Sequence, residues 1–422
     1  MNYRIFPPEE LMDAHIALPL SKSISNRALI INALAGATAP LDNVADCDDT
    51  RAMLDALADP QASVVNIGAA GTAMRFLTAY FAARTGRVVT IDGSERMRKR
   101  PIGPLVEALR AIGADIRYVG QEGFPPLEIH GRQLAGGAVS IDSGVSSQYI
   151  SALLMIAPVT ERGITLTLEG EPVSTPYIRM TLDIMRAFGV IGEKEGNTIS
   201  VPHGRYIGAG SFMVEADWSA ASYWYEIQAL TCGWTALDGL TEHSLQGDSA
   251  CIDIFKELGV ESGFETSPCR ASLEATPDLT PRFTADLSDT PDIAQTVAVT
   301  CSMLGVPFRI TGLRSLRIKE TDRIAALSAE LLKVGVVLTI EGDDAIEWDG
   351  ARRPIAEMPE FDTYDDHRMA LAFAPVAVFI PGIVIRDAEV VSKSYPNYWN
   401  DLVSAGFRVE EIIDESKEEA NQ

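Results

Sequence analysis

One pattern constrains this chain more than any other: a run of small apolar residues, a short β-branched segment, then an amphipathic stretch closing on glycine, repeated six times. The apolar runs are RALIINALA (27–35), AMRFLTAYFAA (73–83), ISALLMIAPV (150–159), AASYWYEIQAL (220–230), IAQTVAVTCSML (293–304) and MALAFAPVAVFI (369–380). Each is apolar nearly all round, which predicts a buried helix. Val88–Ile91, Ile164–Leu168, Phe308–Ile310 and Ile383–Ile385 read as the strands that follow. The amphipathic stretches end at Gly113, Gly189, Gly259, Gly335 and Gly406, spaced 76, 70, 76 and 71 residues apart, and glycine there predicts a left-handed C-cap. The first counterpart, TRAMLDALA, lacks the glycine. A period of this length is a subdomain rather than a solenoid unit. It predicts six α/β modules, three to a domain, with helices inside and sheets outside.

At 422 residues, two domains are expected. The chain should start in one domain, cross at about residue 20 and return at about 217, giving a discontinuous domain (1–19 and 218–422) around an inserted one (20–217). No 18-residue uncharged apolar run is present; the longest candidate, Met369–Ile380, is short and contains Pro375. The N-terminus does not read as a signal peptide. Five cysteines with no CxxC spacing (Cys47, Cys232, Cys251, Cys269 and Cys301) suit reduced thiols in the cytoplasm. The acid-rich tail, Glu410–Gln422, is expected to fray into solvent.

Thirty-five basic against 59 acidic residues leave a net charge of −24. That balance argues against nucleic acid or an anionic membrane as partner. An anionic small molecule fits only where cations are gathered, and they are gathered at module starts. LPLSKSISNRAL sets Lys22, Ser23, Ser25 and Arg27 at the first buried helix, whose exposed N–H groups favour anions. GAAGTAMR places a glycine-rich turn, Thr72 as cap and Arg75 at the second. RMRKRPIG brings four cations, with Arg100 nearest a helix start marked by Pro101, and asks for a counter-anion. Ser146, Ser147 and Gln148 stand at the third; Ser174 and Tyr177 stand at the next amphipathic helix.

The later modules carry acids and bases. In SDTPDIAQT, Thr290 reads as a cap, Pro291 as the first helical residue and Asp292 as a carboxylate in the first turn. LRIKETDRIAAL groups Lys319, Glu320 and Arg323, the last two at the spacing of a plain surface pair. YDDHRMALAF contributes His367 and Arg368, and VVSKSYPNY contributes Lys393. Each element alone has an ordinary structural reading, as a cap, a solvated charge or packing. Their recurrence at the same point of successive modules argues for a shared site.

The strings SKSISNRAL, AGTAMR, RMRKRPIG, SSQYISALLM, TPYIRMTLDIM, LQGD, PDIAQT, KETDR, DHRMA and SKSYP span residues 21 to about 396. In that order they resemble the EPSP synthase family of enolpyruvyl transferases. The resemblance implies two inside-out α/β domains, each of three βαβαββ modules, with the active site in the interdomain cleft. It implies transfer of the enolpyruvyl group of phosphoenolpyruvate to the 5-hydroxyl of shikimate 3-phosphate, a step towards chorismate and the aromatic amino acids. No cofactor and no metal are called for, and a monomer is expected. Shikimate 3-phosphate would meet Lys22, Ser23, Arg27, Ser146, Ser147, Gln148, Ser174, Tyr177, Asp292, Ser315 and Lys319. Phosphoenolpyruvate would meet Lys22, Gly71, Arg100, Gln148, Arg323, Arg368 and Lys393. Asp292 matches the family's proton acceptor and Glu320 its proton donor, with Lys22 and Lys393 as further catalytic candidates.

The chain departs from the family's usual pattern at Leu20 (Gly), Ala69 (Asn), Phe76 (often Pro) and Ser315 (often Asn). Ala69 removes a side-chain donor expected beside the phosphoenolpyruvate phosphate. The nearest alternative is UDP-N-acetylglucosamine enolpyruvyl transferase, but that family carries a cysteine in the loop corresponding to Arg96–Arg100, where this chain has none. A catalytically weakened, anion-binding paralogue is the other.

Overall fold

The computed structural model describes residues 1–10, 12–37, 41, 43–59, 61–142, 144, 146–170, 175–208, 210 and 212–412. Six helices come from the apolar runs or extend them. They alternate with six amphipathic ones: α1 (Lys22–Leu34), α2 (Asp48–Ala58), α3 (Gly71–Ala82), α4 (Gly103–Ala111), α5 (Ser147–Ile156), α6 (Thr175–Ala187), α7 (Trp218–Leu230), α8 (Cys251–Lys256), α9 (Ala294–Leu304), α10 (Arg323–Lys333), α11 (His367–Phe373) and α12 (Tyr398–Ser404). Every residue of α3 and α11 is buried. On α4 and α6 the buried positions fall on one face, as their sequence period requires. The apolar run at 369–380 breaks into α11 and a 3-10 turn, Ala374–Val378, because Pro375 cannot donate within the helix.

The closing glycines all take positive φ. At Gly335, φ is 79° and an added Cβ would run into the Arg353 backbone, so both conformation and space demand glycine. Gly259 differs in context. Helix α8 has already ended at Lys256, and Gly259 lies within the strand Leu258–Thr266.

Packing divides the chain into two units, Leu20–Glu215 and Met1–Pro19 with Ala216–Gln422. The return therefore falls two residues before the sequence-based boundary of 217/218. In the first unit α1, α3 and α5 pack against one another; in the second α7, α9 and α11 do so. Among the described residues five four-stranded sheets surround these helices, two in the first unit and three in the second. Each has one parallel pair followed by two antiparallel neighbours, as in Gly137–Asp142, Ile164–Glu169, Thr198–Val201 and Glu193–Glu195.

Two strands near the N-terminus complete modules far along the chain. Met12–Ala17 pairs in parallel with Gly233–Asp238. Asn2–Phe6 lies antiparallel between Ile383–Ile385 and Arg408–Ile412. This pairing corrects part of the tail expectation: Glu410, Glu411 and Ile412 sit opposite Arg4, Tyr3 and Asn2 instead of fraying. Residues 413–422 lie outside the described set.

Candidate active site

In the first unit the N-terminal ends of α1, α3 and α5 carry the candidate groups. Ser21 caps α1, its side chain accepting from the Ile24 amide, so Lys22 and Ser23 fall in the first turn. Arg27, one turn on, is 2% exposed. Its Nε donates to Thr181 Oγ1 at 2.8 Å, Nη1 to the Ser23 carbonyl at 2.8 Å and Nη2 to Ser151 Oγ at 3.1 Å. The guanidinium also stands over the rings of Phe76 (5.3 Å) and Tyr177 (5.7 Å). Burial, against a smaller opposing effect of Tyr177, lowers its pKa to about 10. A cation held by neutral oxygens and ring faces is a receptor for an anion.

Helix α3 begins at Gly71 after Ala70, which makes no side-chain cap. Thr72 is therefore not the cap that the sequence suggests: it sits inside the first turn, where its hydroxyl accepts from Gln148 Nε2 at 3.1 Å. Any Cβ on Gly71 would lie 2.5 Å from Arg100 Nη1, so only glycine lets that guanidinium approach the turn. Arg75 fixes both sides of the approach, donating to the Gly71 carbonyl (3.0 Å) and the Pro101 carbonyl (3.2 Å), which also accepts from Tyr149 (2.6 Å). Helix α4 starts at Gly103 with Pro104 in its first turn, two residues later than Pro101 suggested. Two of the four cations in this loop need no outside anion: Arg98 pairs with Asp92 and Lys99 with Glu95. Ser146 caps α5 by accepting from the Gln148 amide, and Ser147 is its first residue. Lys22 Nζ lies 3.9 Å from Asp49. Ser174 lies outside the described residues.

The second unit joins six candidates into one network. Asp292 stands in the 3-10 turn Pro291–Ile293, ahead of α9, and Thr290 makes no side-chain cap there. Its Oδ1 is 3.0 Å from Arg323 Nη1 and 3.5 Å from Lys319 Nζ; its Oδ2 is 3.0 Å from Arg368 Nη2. Glu320 Oε2 accepts from Arg323 Nη2 at 2.8 Å, and Oε1 accepts from Lys393 Nζ at 2.9 Å. The spacing of Glu320 and Arg323 suggested a surface pair, but Arg323 is 2% exposed and Glu320 only 13%. Ser315, in the turn Arg314–Ile318, makes no hydrogen bond to this network among the described residues.

Burial raises the Asp292 carboxyl, but Arg368, Lys319 and Arg323 outweigh it and hold the group well below the usual carboxylate range. Arg323 is shifted upward: burial opposes its charge, while Asp366, Glu320 and Asp292 favour it. Asp366 was not among the sequence candidates. It caps α11 through the Arg368 amide and takes Arg323 Nε at 2.7 Å. Its signal lay in the DHRMA string, one residue before His367. Ser151 and Thr181, which seat Arg27, lie within the SSQYISALLM and TPYIRMTLDIM strings, but mid-helix, where residue type alone does not mark them as ligands of a cation.

The family model for EPSP synthase (3-phosphoshikimate 1-carboxyvinyltransferase) matches residues 8–62 and 57–402. This chain belongs to the EPSP synthase family. A 3-phosphoshikimate 1-carboxyvinyltransferase of Bacteroides fragilis is 50% identical over 410 residues, covering 97% of this chain and 99% of that one. One from Vibrio cholerae is 39% identical over 422 residues, with 93% and 97% covered. The solved EPSP synthase of Acinetobacter baumannii superposes with a TM-score of 0.75 over 97% of this chain and all of its own, at 23% identity. That likeness supports the two-domain inside-out α/β fold. Within the EPSP synthase family this chain's departures have distinct settings. Phe76 is fully buried beneath Arg27, Leu20 packs against the first unit's core, and Ala69 is exposed.

Proposed function

We propose that this protein transfers the carboxyvinyl group of phosphoenolpyruvate to the 5-hydroxyl of shikimate 3-phosphate, releasing phosphate. The 5-oxygen bonds to C2 of phosphoenolpyruvate while its proton goes to a base and C3 gains a proton. The tetrahedral adduct then expels phosphate from C2 and returns a C3 proton, leaving the enol ether. Arg27, Lys22, Ser23, Ser146, Ser147, Gln148, Ser174 and Tyr177 of the first unit, with Asp292, Ser315 and Lys319, bind the sugar acid and its phosphate. Lys22, Gly71, Arg100, Gln148, Arg323, Arg368 and Lys393 bind phosphoenolpyruvate. Lysines and arginines offset the repulsion between two phosphates and two carboxylates.

The observation that carries this reading is that both proton carriers, Asp292 and Glu320, are tied to one buried guanidinium, Arg323. Asp292 serves as acceptor for the 5-hydroxyl proton. Its low pKa makes it a weak base at rest, and an anion drawing Arg368 and Arg323 towards itself raises its basicity. Glu320, bridged to Lys393, delivers the C3 proton, with Lys22 and Lys393 supporting charge at the reacting oxygens. Five unpaired thiols favour the reducing cytoplasm as its location, and we assign a monomer, testable by sedimentation.

Phosphate release from phosphoenolpyruvate should require shikimate 3-phosphate. Release with UDP-N-acetylglucosamine and none with shikimate 3-phosphate would overturn the reading. The family match and the names of the relatives favour shikimate 3-phosphate.

A further inference from the structure

Arg368 has a partner that the reaction above leaves unused. Ser219, the second residue of α7, accepts from Arg368 Nη2 at 3.4 Å and donates its hydroxyl hydrogen to Asp248 Oδ2. Asp248 stands in the turn Gly247–Ala250, 4% exposed. Its other oxygen, Oδ1, is buried and receives no hydrogen bond from the described residues. A carboxylate with one oxygen out of water and without a donor is costly, whereas the protonated carboxyl is less so. The same nitrogen, Arg368 Nη2, lies 3.0 Å from Asp292 Oδ2. The order Asp292, Arg368, Ser219, Asp248 thus sets two carboxyls on one cation, one directly and one through a hydroxyl.

We propose that Asp248 is a positioning residue that, through the Ser219 hydroxyl, sets how strongly Arg368 engages an anionic group of phosphoenolpyruvate. The neutral carboxyl anchors Ser219 and leaves the guanidinium charge to the ligand; the ionised carboxyl draws that charge back. The groups facing it are Asp217, the N-cap of α7, Ser219 of α7, Cys251 of α8, Asp292, and Arg368 of α11. Burial, then the Asp292 charge, raise the Asp248 carboxyl against the pull of Arg368, to about 7. The Cys251 thiol is pushed far up by burial and stays neutral. The inference rests on the placement of phosphoenolpyruvate at Arg368 proposed above.

Sulfate is a dianion that does not titrate near neutrality, and it is the probe. Its dissociation constant is measured by calorimetry with shikimate 3-phosphate present, from pH ~6 to ~9, for the wild type, Asp248→Asn and Ser219→Ala. The ratio of the wild-type constant to that of Asp248→Asn should climb about tenfold across this range, because one unit of pKa shift is a tenfold change in affinity. Ser219→Ala should lose the climb and raise KM for phosphoenolpyruvate more than it lowers kcat. A constant ratio would overturn the proposal, and so would a full climb surviving in Ser219→Ala. The same climb within Asp248→Asn would assign it to His367, which neighbours Arg368, and would also overturn it. If Asp248→Asn does not fold by circular dichroism, the wild type against Ser219→Ala decides. Turnover is measured alongside: no carboxyvinyl transfer with an intact climb fails the proposed function alone, and normal turnover with a flat ratio fails this inference alone.

Discussion

Arg27 and Arg323 are the two most buried arginines of the described chain, each 2% exposed, and opposite means keep them there. Arg27 rests on two hydroxyls, a carbonyl and two ring faces, and burial lowers its pKa to about 10. Arg323 is ringed by Asp292, Glu320 and Asp366, which raise its pKa. At Arg27 an arriving anion meets a charge that no carboxylate among the described residues has claimed. A charge pair 4 Å apart is worth about 4 kcal/mol at an effective dielectric of 20. At Arg323 and Arg368 an anion must first compete with resident carboxylates. The first unit is thus a ready receptor. The second is a balanced lattice of charges, which on the function proposed above suits proton transfer better than capture.

The sharpest way to break this contrast is to remove Asp292. Asp292→Ala should lower turnover by about 10²–10⁴-fold while shikimate 3-phosphate still binds, read by steady-state kinetics beside calorimetry. Unchanged turnover would take Asp292 out of the base role. Next is Arg323→Met, which removes the cation that Asp292, Glu320 and Asp366 share, leaves the buried Asp366 without its guanidinium partner, and should cost about 3–5 kcal/mol in urea unfolding. A loss under about 1 kcal/mol would show that the carboxylates do not depend on it. Arg27→Met strands no carboxylate, so its stability loss should be the smaller of the two. Its cost should appear in binding, as a roughly ten- to hundredfold weaker shikimate 3-phosphate complex. Equal destabilisation by both substitutions would erase the distinction.

The smallest effect concerns an acid with no cation at all. Glu226 of α7 is fully buried, neither carboxyl oxygen is hydrogen-bonded among the described residues, and burial pushes its pKa well above the carboxylate range. The folded state therefore holds its proton more tightly than the unfolded state does. The stability this confers is complete below the unfolded pKa, about 4.3, and drains away as pH rises towards the folded value. Glu226→Gln has no proton to lose. Its melting temperature relative to wild type should rise steadily between pH ~5 and ~9. A gap independent of pH would mean that Glu226 is not held neutral.

Much of this was legible from local pattern. The six buried helices follow from runs such as AMRFLTAYFAA, because apolarity on every side leaves no face for water. Lys319, Glu320 and Arg323 were legible as a group because they are neighbours in sequence. Their union with Asp292, Arg368 and Lys393 had to be supplied by the fold, and the spacing alone suggested a mere surface pair. The placement of Asn2–Phe6 beside Ile383–Ile385 was illegible for the same reason: strand pairing is set by partners hundreds of residues apart. The misplaced cap at Thr72 shows that a cap-forming residue type is no proof of a cap once a neighbouring helix offers Gln148 as donor.

That N-terminal strand also bears on how the protein comes off the ribosome. Asn2–Phe6 needs Ile383–Ile385 and Arg408–Ile412 on either side. At about 5–20 residues per second those partners emerge roughly 20–80 s after the strand itself. Leu20–Glu215 is one continuous stretch that forms a compact unit, so its partners emerge within about 200 residues of one another. The strand Asn2–Phe6 thus waits unpaired for partners made hundreds of residues later.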